Sequence, residues 1–109
     1  MNKIDIYFSD DSELGEYEAI NKGYRLDVYI KINDNLFNVR VYTMIRLQQD
    51  FESEIESYGY YAVEPNLILV KDSSREEIIS TVANVYEQKY FEEIKPLENF
   101  DIGNLKKVN

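Results

Sequence analysis

From Tyr24 to Thr43 apolar side chains recur at every second residue, and at Met44 the spacing changes abruptly to threes and fours. A period of two belongs to a half-buried strand and a period near 3.6 to an amphipathic helix, so the chain must turn from sheet into helix at that point. In Tyr24 to Ile32, Leu26, Val28, Ile30 and Ile32 face one way, and Arg25, Asp27, Tyr29 and Lys31 the other. In Leu36 to Thr43, Phe37, Val39 and Val41 alternate with Asn38, Arg40 and Tyr42. Asn33, Asp34 and Asn35 lie between the two runs and tolerate left-handed backbone, which predicts a hairpin. Its Arg25, Lys31 and Arg40 either balance Asp27 across the strands, the plainer reading, or form a basic face.

Met44, Leu47, Phe51, Ile55 and Tyr58 form one narrow stripe of the helix that follows, and Gly59 stands where a helix end favours left-handed backbone. Before the hairpin, Lys3 to Phe8 alternates as a first strand. Ser9 to Asn21 reads as an irregular or briefly helical connection, because Gly15 weakens a helix. After the helix, Tyr60 to Val63 and Leu67 to Lys71 read as two short strands joined by a turn at Glu64, Pro65 and Asn66. The unbroken Leu67-Ile68-Leu69-Val70 suggests a strand buried on both faces at the centre of the sheet. Ser73 or Ser74, each followed three residues later by Glu, opens a second helix from about Arg75 to about Glu93, which Pro96 stops.

This order predicts an α+β fold: one mainly antiparallel sheet of about four to five strands with two main helices packed on it. At 109 residues, with 44% apolar side chains, the sequence suits a single domain over 1–109. Residues 97–109 form a partly ordered tail in which Lys106 to Asn109 frays.

The charge is confined. Ser9 to Glu18 holds Asp10, Asp11, Glu13, Glu16 and Glu18 without a base, and Leu47 to Val70 holds Asp50, Glu52, Glu54, Glu56 and Glu64 without a base. Taking those ten from the 21 acids leaves 11 against 12 Lys and Arg, so the whole net charge of -9 lies in the two windows. Asp50 and Glu54 flank one side of the helix stripe, Glu52 and Glu56 the other, and each pair repels at a spacing of four. Glu54 and Glu56 also oppose the helix dipole. These acids are either a solvated face or a surface for a cationic partner. Tyr58, Tyr60 and Tyr61 beside them are either core-edge residues or interface anchors.

Cys and His are both absent, which removes disulfides, thiolate zinc, His-based triads and the Cys nucleophile. Asp10 with Asp11, or Glu52 with Glu56, has the chemistry to hold Mg²⁺ through water. Phosphoryl transfer, however, usually adds a glycine-rich phosphate loop or convergent Arg, and the four glycines stand alone. The expectation is no catalytic residue, no cofactor and no metal. Acidic clusters also argue against direct nucleic-acid binding. Neither a signal-peptide core nor a membrane-span run occurs in the sequence, so a cytoplasmic, non-membrane location is expected.

An Asp/Glu helix beside tyrosines, Asp50 to Tyr61, in a small acidic Cys-free α+β chain resembles bacterial immunity proteins of polymorphic or contact-dependent toxin systems. The resemblance is general over the whole chain and rests on no diagnostic motif. It implies a stoichiometric inhibitor of a cognate toxin such as a nuclease. The partner-binding candidates on the residues alone are Asp50, Glu52, Glu54, Glu56, Tyr58, Tyr60 and Tyr61, joined by Asp10, Asp11 and Glu13. Two alternatives remain: a structural or oligomeric accessory domain, as a homodimer through tyrosines or a sheet edge, and a phage-encoded inhibitor that mimics nucleic-acid charge.

Overall fold

The computed structural model describes residues 4–109, so Lys3 of the expected first strand lies outside the described residues. The sheet has five strands, β1 (Ile4–Phe8), β2 (Tyr24–Ile32), β3 (Asn35–Thr43), β4 (Leu67–Val70) and β5 (Lys106–Lys107), in the order β4-β3-β2-β1-β5. Three helices accompany it: α1 (Glu13–Lys22), α2 (Met44–Tyr58) and α3 (Arg75–Glu87). The architecture is α+β with a mixed sheet, since β4 runs parallel to β3 and the other pairs are antiparallel.

One face of the sheet carries the core. Ile6 and Phe8 of β1, Val28 and Ile30 of β2, and Val39 and Val41 of β3 meet Ile78 and Val82 of α3, all essentially without exposure. The period-two alternation puts these residues on one side, and the threes and fours of α3 supply the lid.

The hairpin forms as its sequence predicts, with Asn33 at φ 56° in the turn, but its alternation breaks at the far end. Between the pairs Arg25↔Val41 and Val28↔Val39, Leu26 and Asp27 oppose Arg40 alone. This β-bulge shifts the facing of everything before it, so Arg25 rather than Leu26 turns inward, 5% exposed, while Leu26 turns out. The Arg25 guanidinium lies 3.9 Å from the centre of the Phe8 ring, and its Nε donates to Asp27 Oδ1 at 2.8 Å. Asp27 also accepts from the Ser9 amide, the Ser9 hydroxyl and the Asp10 amide at 2.9–3.1 Å, and Arg25 donates to the Asp10 carbonyl. Asn38 Nδ2 donates to the carbonyls of Leu26 and Val28, both at 3.1 Å, and so occupies the backbone groups the bulge frees.

Several expectations are corrected. Residues 13–22 form a regular helix, capped by Ser12, whose hydroxyl accepts from the Gly15 amide at 3.0 Å. Gly15 is there to leave room: a Cβ would stand 2.6 Å from Asp10 Oδ2. Residues 60–63 form no strand, because the chain returns along α2 and crosses to pair β4 parallel with β3. β4 is an edge strand rather than the sheet centre, and its Leu69 is 44% exposed. α3 ends at Glu87, followed by a 3₁₀ turn over Tyr90–Glu92 that buries Phe91 against Phe37. Ser74 caps α3, whereas Ser73 is buried and donates to the Ala19 carbonyl at 2.8 Å.

Residues 106–109 do not fray. Val108 is buried and its amide donates to the Ile6 carbonyl at 2.8 Å. The Asn109 side chain accepts from the Ile6 amide and donates to the Ile4 carbonyl, and Lys107 pairs with Asp5.

Burial alone would raise the Asp27 carboxyl, but the Arg25 hydrogen bond and charge, Ser9 and the Asp10 amide outweigh it, so its pKa lies below the ordinary 3.8. A carboxyl lowered on folding stabilises the protein above its unfolded value, and that contribution disappears as the pH falls through the folded one. Asp27→Asn should therefore cost about 2 to 3 kcal/mol in urea denaturation at pH 7, because Arg25 is left buried without its anion. The variant should also lose less stability than the parent when the pH falls from about 5 to about 2.

Candidate docking face

α2 begins where β3 ends. Thr43 Oγ1 accepts from the Arg46 amide at 3.4 Å, and at the other end Gly59, at φ 84°, donates its amide to the Ile55 carbonyl. The helix lies over Tyr24 and Tyr42, whose side chains point away from the core and meet with ring centres 5.5 Å apart. Arg46 holds it there: the guanidinium sits 4.5 Å from the centre of the Tyr24 ring, and Nε donates to Asp50 at 3.1 Å.

No residue of α2 is buried. Its least exposed side chains are Arg46, Leu47, Asp50 and Glu54, which at 100° per residue define a side roughly a quarter turn from the stripe centre. Apart from Leu47 the stripe faces solvent, with Phe51 49% and Tyr58 69% exposed and Met44 and Ile55 open beside them. The cause lies in the sheet. Its second face carries Asp5, Tyr7, Tyr29, Lys31, Asn38 and Arg40 by alternation, so it offers little apolar floor for a helix.

The returning chain partly lines the stripe. Tyr61 and Val63 stand beside Met44, Leu47, Gln48 and Phe51 around a cavity of about 270 Å³. Burial and the neighbouring Asp50 and Glu54 charges push the Tyr61 hydroxyl above its ordinary pKa, and burial followed by Asp50 does the same to Tyr42. Arg40 anchors the return through Glu64, and Asn66 donates to the Asn38 carbonyl at 2.8 Å.

Of the five acids in residues 47–70, Asp50 and Glu64 are thus paired within the fold. Among the described residues Glu52, Glu54 and Glu56 pair with no base. These three flank the stripe, and the exposed Tyr60 follows Tyr58 at its end.

The first acidic window is arranged differently. Asp10 Oδ1 accepts from the Ser12 amide, and the Ser12 hydrogen bonds hold its carboxyl below the ordinary value. Asp11 pairs with Arg75 at 3.3 Å, and Glu16 Oε2 accepts from the Arg75 amide at 2.9 Å in the first turn of α3. Asp10, Asp11 and Glu16 therefore fasten α1 to its neighbours, while Glu13 is exposed. The end of α1 meets the start of α2 across a cleft that Lys22, Arg46 and Lys71 line, so cations separate the two windows there.

No family model matches the chain, and no curated protein or solved structure matches it either. Among the described residues no group of three acids is gathered closely enough to hold a metal ion, and no helix is long and apolar enough to cross a membrane. The stripe's residues were readable from spacing. Its exposure was not, because periodicity tells which side chains share a face and not whether that face is covered.

A helix held by its two end caps and Arg46, with no buried residue, opens more easily than one sealed by Ile78 and Val82. Amide hydrogen exchange should find α2 at least about tenfold less protected than α3. Arg46→Ala should widen that difference and leave α3 protection unchanged.

Proposed function

We propose that this chain is a non-catalytic binding protein that inhibits a basic protein partner, as an immunity protein neutralises a cognate toxin such as a nuclease. One observation carries the reading: α2 presents an exposed apolar stripe flanked by three unpaired glutamates, Glu52 and Glu56 open to solvent and Glu54 half-buried beside it. Either feature alone is ordinary on a protein surface. An exposed apolar strip of this length on a helix is what a partner covers, and the acids beside it select a cationic one and speed its approach. Glu52, Glu54, Glu56, Tyr58, Tyr60 and Tyr61 are the contact residues of this reading, with Asp50 and the first-window acids Asp10, Asp11 and Glu13 acting through their field.

A second reading, an oligomeric accessory domain, is favoured by β4. It is an edge strand without a charge, and Leu69 is exposed on it. Light scattering over a dilution series separates the two: a monomer throughout supports the inhibitor, and a persistent dimer supports the accessory domain.

Co-expression with the product of the neighbouring reading frame tests the inhibitor directly. Growth should be rescued by the parent chain and not by the Glu52→Lys, Glu54→Lys, Glu56→Lys variant, whose association should also lose its salt dependence. The variant should melt no lower than the parent. Positions 52 and 56 stay like-charged after reversal, but Asp50 gains an opposite charge one turn away at position 54 and the dipole clash at 54 and 56 is reversed, together worth about 0.5 kcal/mol in its favour. Rescue by the reversed variant, with unchanged kinetics, would remove the reading.

A further inference from the structure

The 15 residues of α2 make a helix about 22 Å long, and the stripe runs along it from Met44 to Tyr58. Same-side residues recur with the helical pitch of about 5.4 Å. An extended partner segment repeats its side chains at about 6.6 Å and drifts out of step within a few residues, whereas a second helix keeps the same spacing. The cavity formed by Met44, Leu47, Phe51, Tyr61 and Val63, about 270 Å³, is large enough for one Leu, Met or Phe side chain and opens on the stripe. Glu54 borders the stripe on one side, and Glu52 and Glu56 on the other, with no Lys or Arg between residues 47 and 70.

That frame of charge decides the occupant. A second copy of this chain would set these glutamates against themselves around a closed apolar contact, where like charges are costly. A helix with Lys or Arg one turn to either side of its apolar line would meet an acid on both flanks. We propose that the α2 stripe seats a basic amphipathic helix of the partner, which places one apolar side chain in the cavity and its cations against Glu54 and the Glu52–Glu56 pair. The inference rests on the reading of this chain as a binder of a basic protein and names the part of the partner it holds. The apolar anchor supplies the affinity at the centre, and the acids supply the approach and the register.

Three synthetic peptides of about 18 residues test it by fluorescence anisotropy: one with Leu at helical spacing and Lys on the flanks, a scramble of the same composition, and a version with Glu for Lys. The first should bind the parent chain at least about tenfold more tightly than the scramble, and the Glu peptide should not bind. Phe51→Ser should lose at least about tenfold for the first peptide and leave the weak binding of the scramble unchanged. Since Phe51 is exposed, the variant should melt with the parent, and circular dichroism checks this. Equal binding of peptide and scramble, or no effect of Phe51→Ser, overturns helix docking while leaving an acidic contact with a basic protein intact. A dimer of the parent chain that Phe51→Ser dissolves also overturns it, in favour of a second copy. Failure of growth rescue, by contrast, removes the inhibitor reading whatever the peptides do.

Discussion

Leu26 and Asp27 oppose the single residue Arg40, and from this one extra residue in β2 the arrangement of both sheet faces follows. It sends Arg25 inward over Phe8, and the buried guanidinium then requires Asp27, which in turn gathers the Ser9 and Asp10 amides. The start of the connection to α1 is thereby fixed to the sheet. On the other face the same shift places Tyr24 beside Tyr42, and that aromatic pair is the ground on which Arg46 sets α2. A polar group in the interior thus positions a helix on the opposite surface.

The two helices that follow the hairpin meet different floors. α3 lies on a continuous apolar surface and gives it Ile78 and Val82. α2 lies on a surface of alternating polar residues and tyrosines, so it turns Arg46, Leu47 and Asp50 toward the sheet, leaves Glu54 half-buried at the edge, and keeps the rest of its apolar stripe outward. The acids differ accordingly. In the first window, Asp11 and Glu16 bond to Arg75 and are part of the scaffold. In the second, Glu52, Glu54 and Glu56 have like neighbours, Glu54 and Glu56 also meet an unfavourable dipole, and among the described residues no base pairs with them. A charge that lowers local stability while bordering exposed apolar surface is better explained by what approaches it than by what lies beneath it.

What was legible in the sequence follows from the range of the forces involved. The hairpin, α2 with its Gly59 end and the Ser74 start of α3 are set within a few residues, and local spacing predicts them. The bulge, the edge position of β4 and the β5 pairing depend on partners far along the chain. A run such as Leu67-Ile68-Leu69-Val70 reads as a central strand, although Leu69 lies open at the edge. Asn109 reads as a fraying polar end, although both ends of its amide bond β1. Gly15 reads as a helix breaker because the Asp10 carboxylate it accommodates is invisible to spacing. For the candidate site, the acids and the stripe were legible as residues. That they face solvent together was not, because it depends on the polar second face of the sheet.

The attachment of residues 106–109 to β1 has a consequence for synthesis. β1 is made before β2, β3 and the helices, and its outer edge is completed by Lys106, Lys107 and the Asn109 side chain, which are made after all of them. Until they emerge, the nascent sheet carries an open edge at β1 while β2, β3 and the helices are already present. An unpaired edge is where chains join wrongly, and Asp5 and Lys107, which later pair with each other, put charge at the joint.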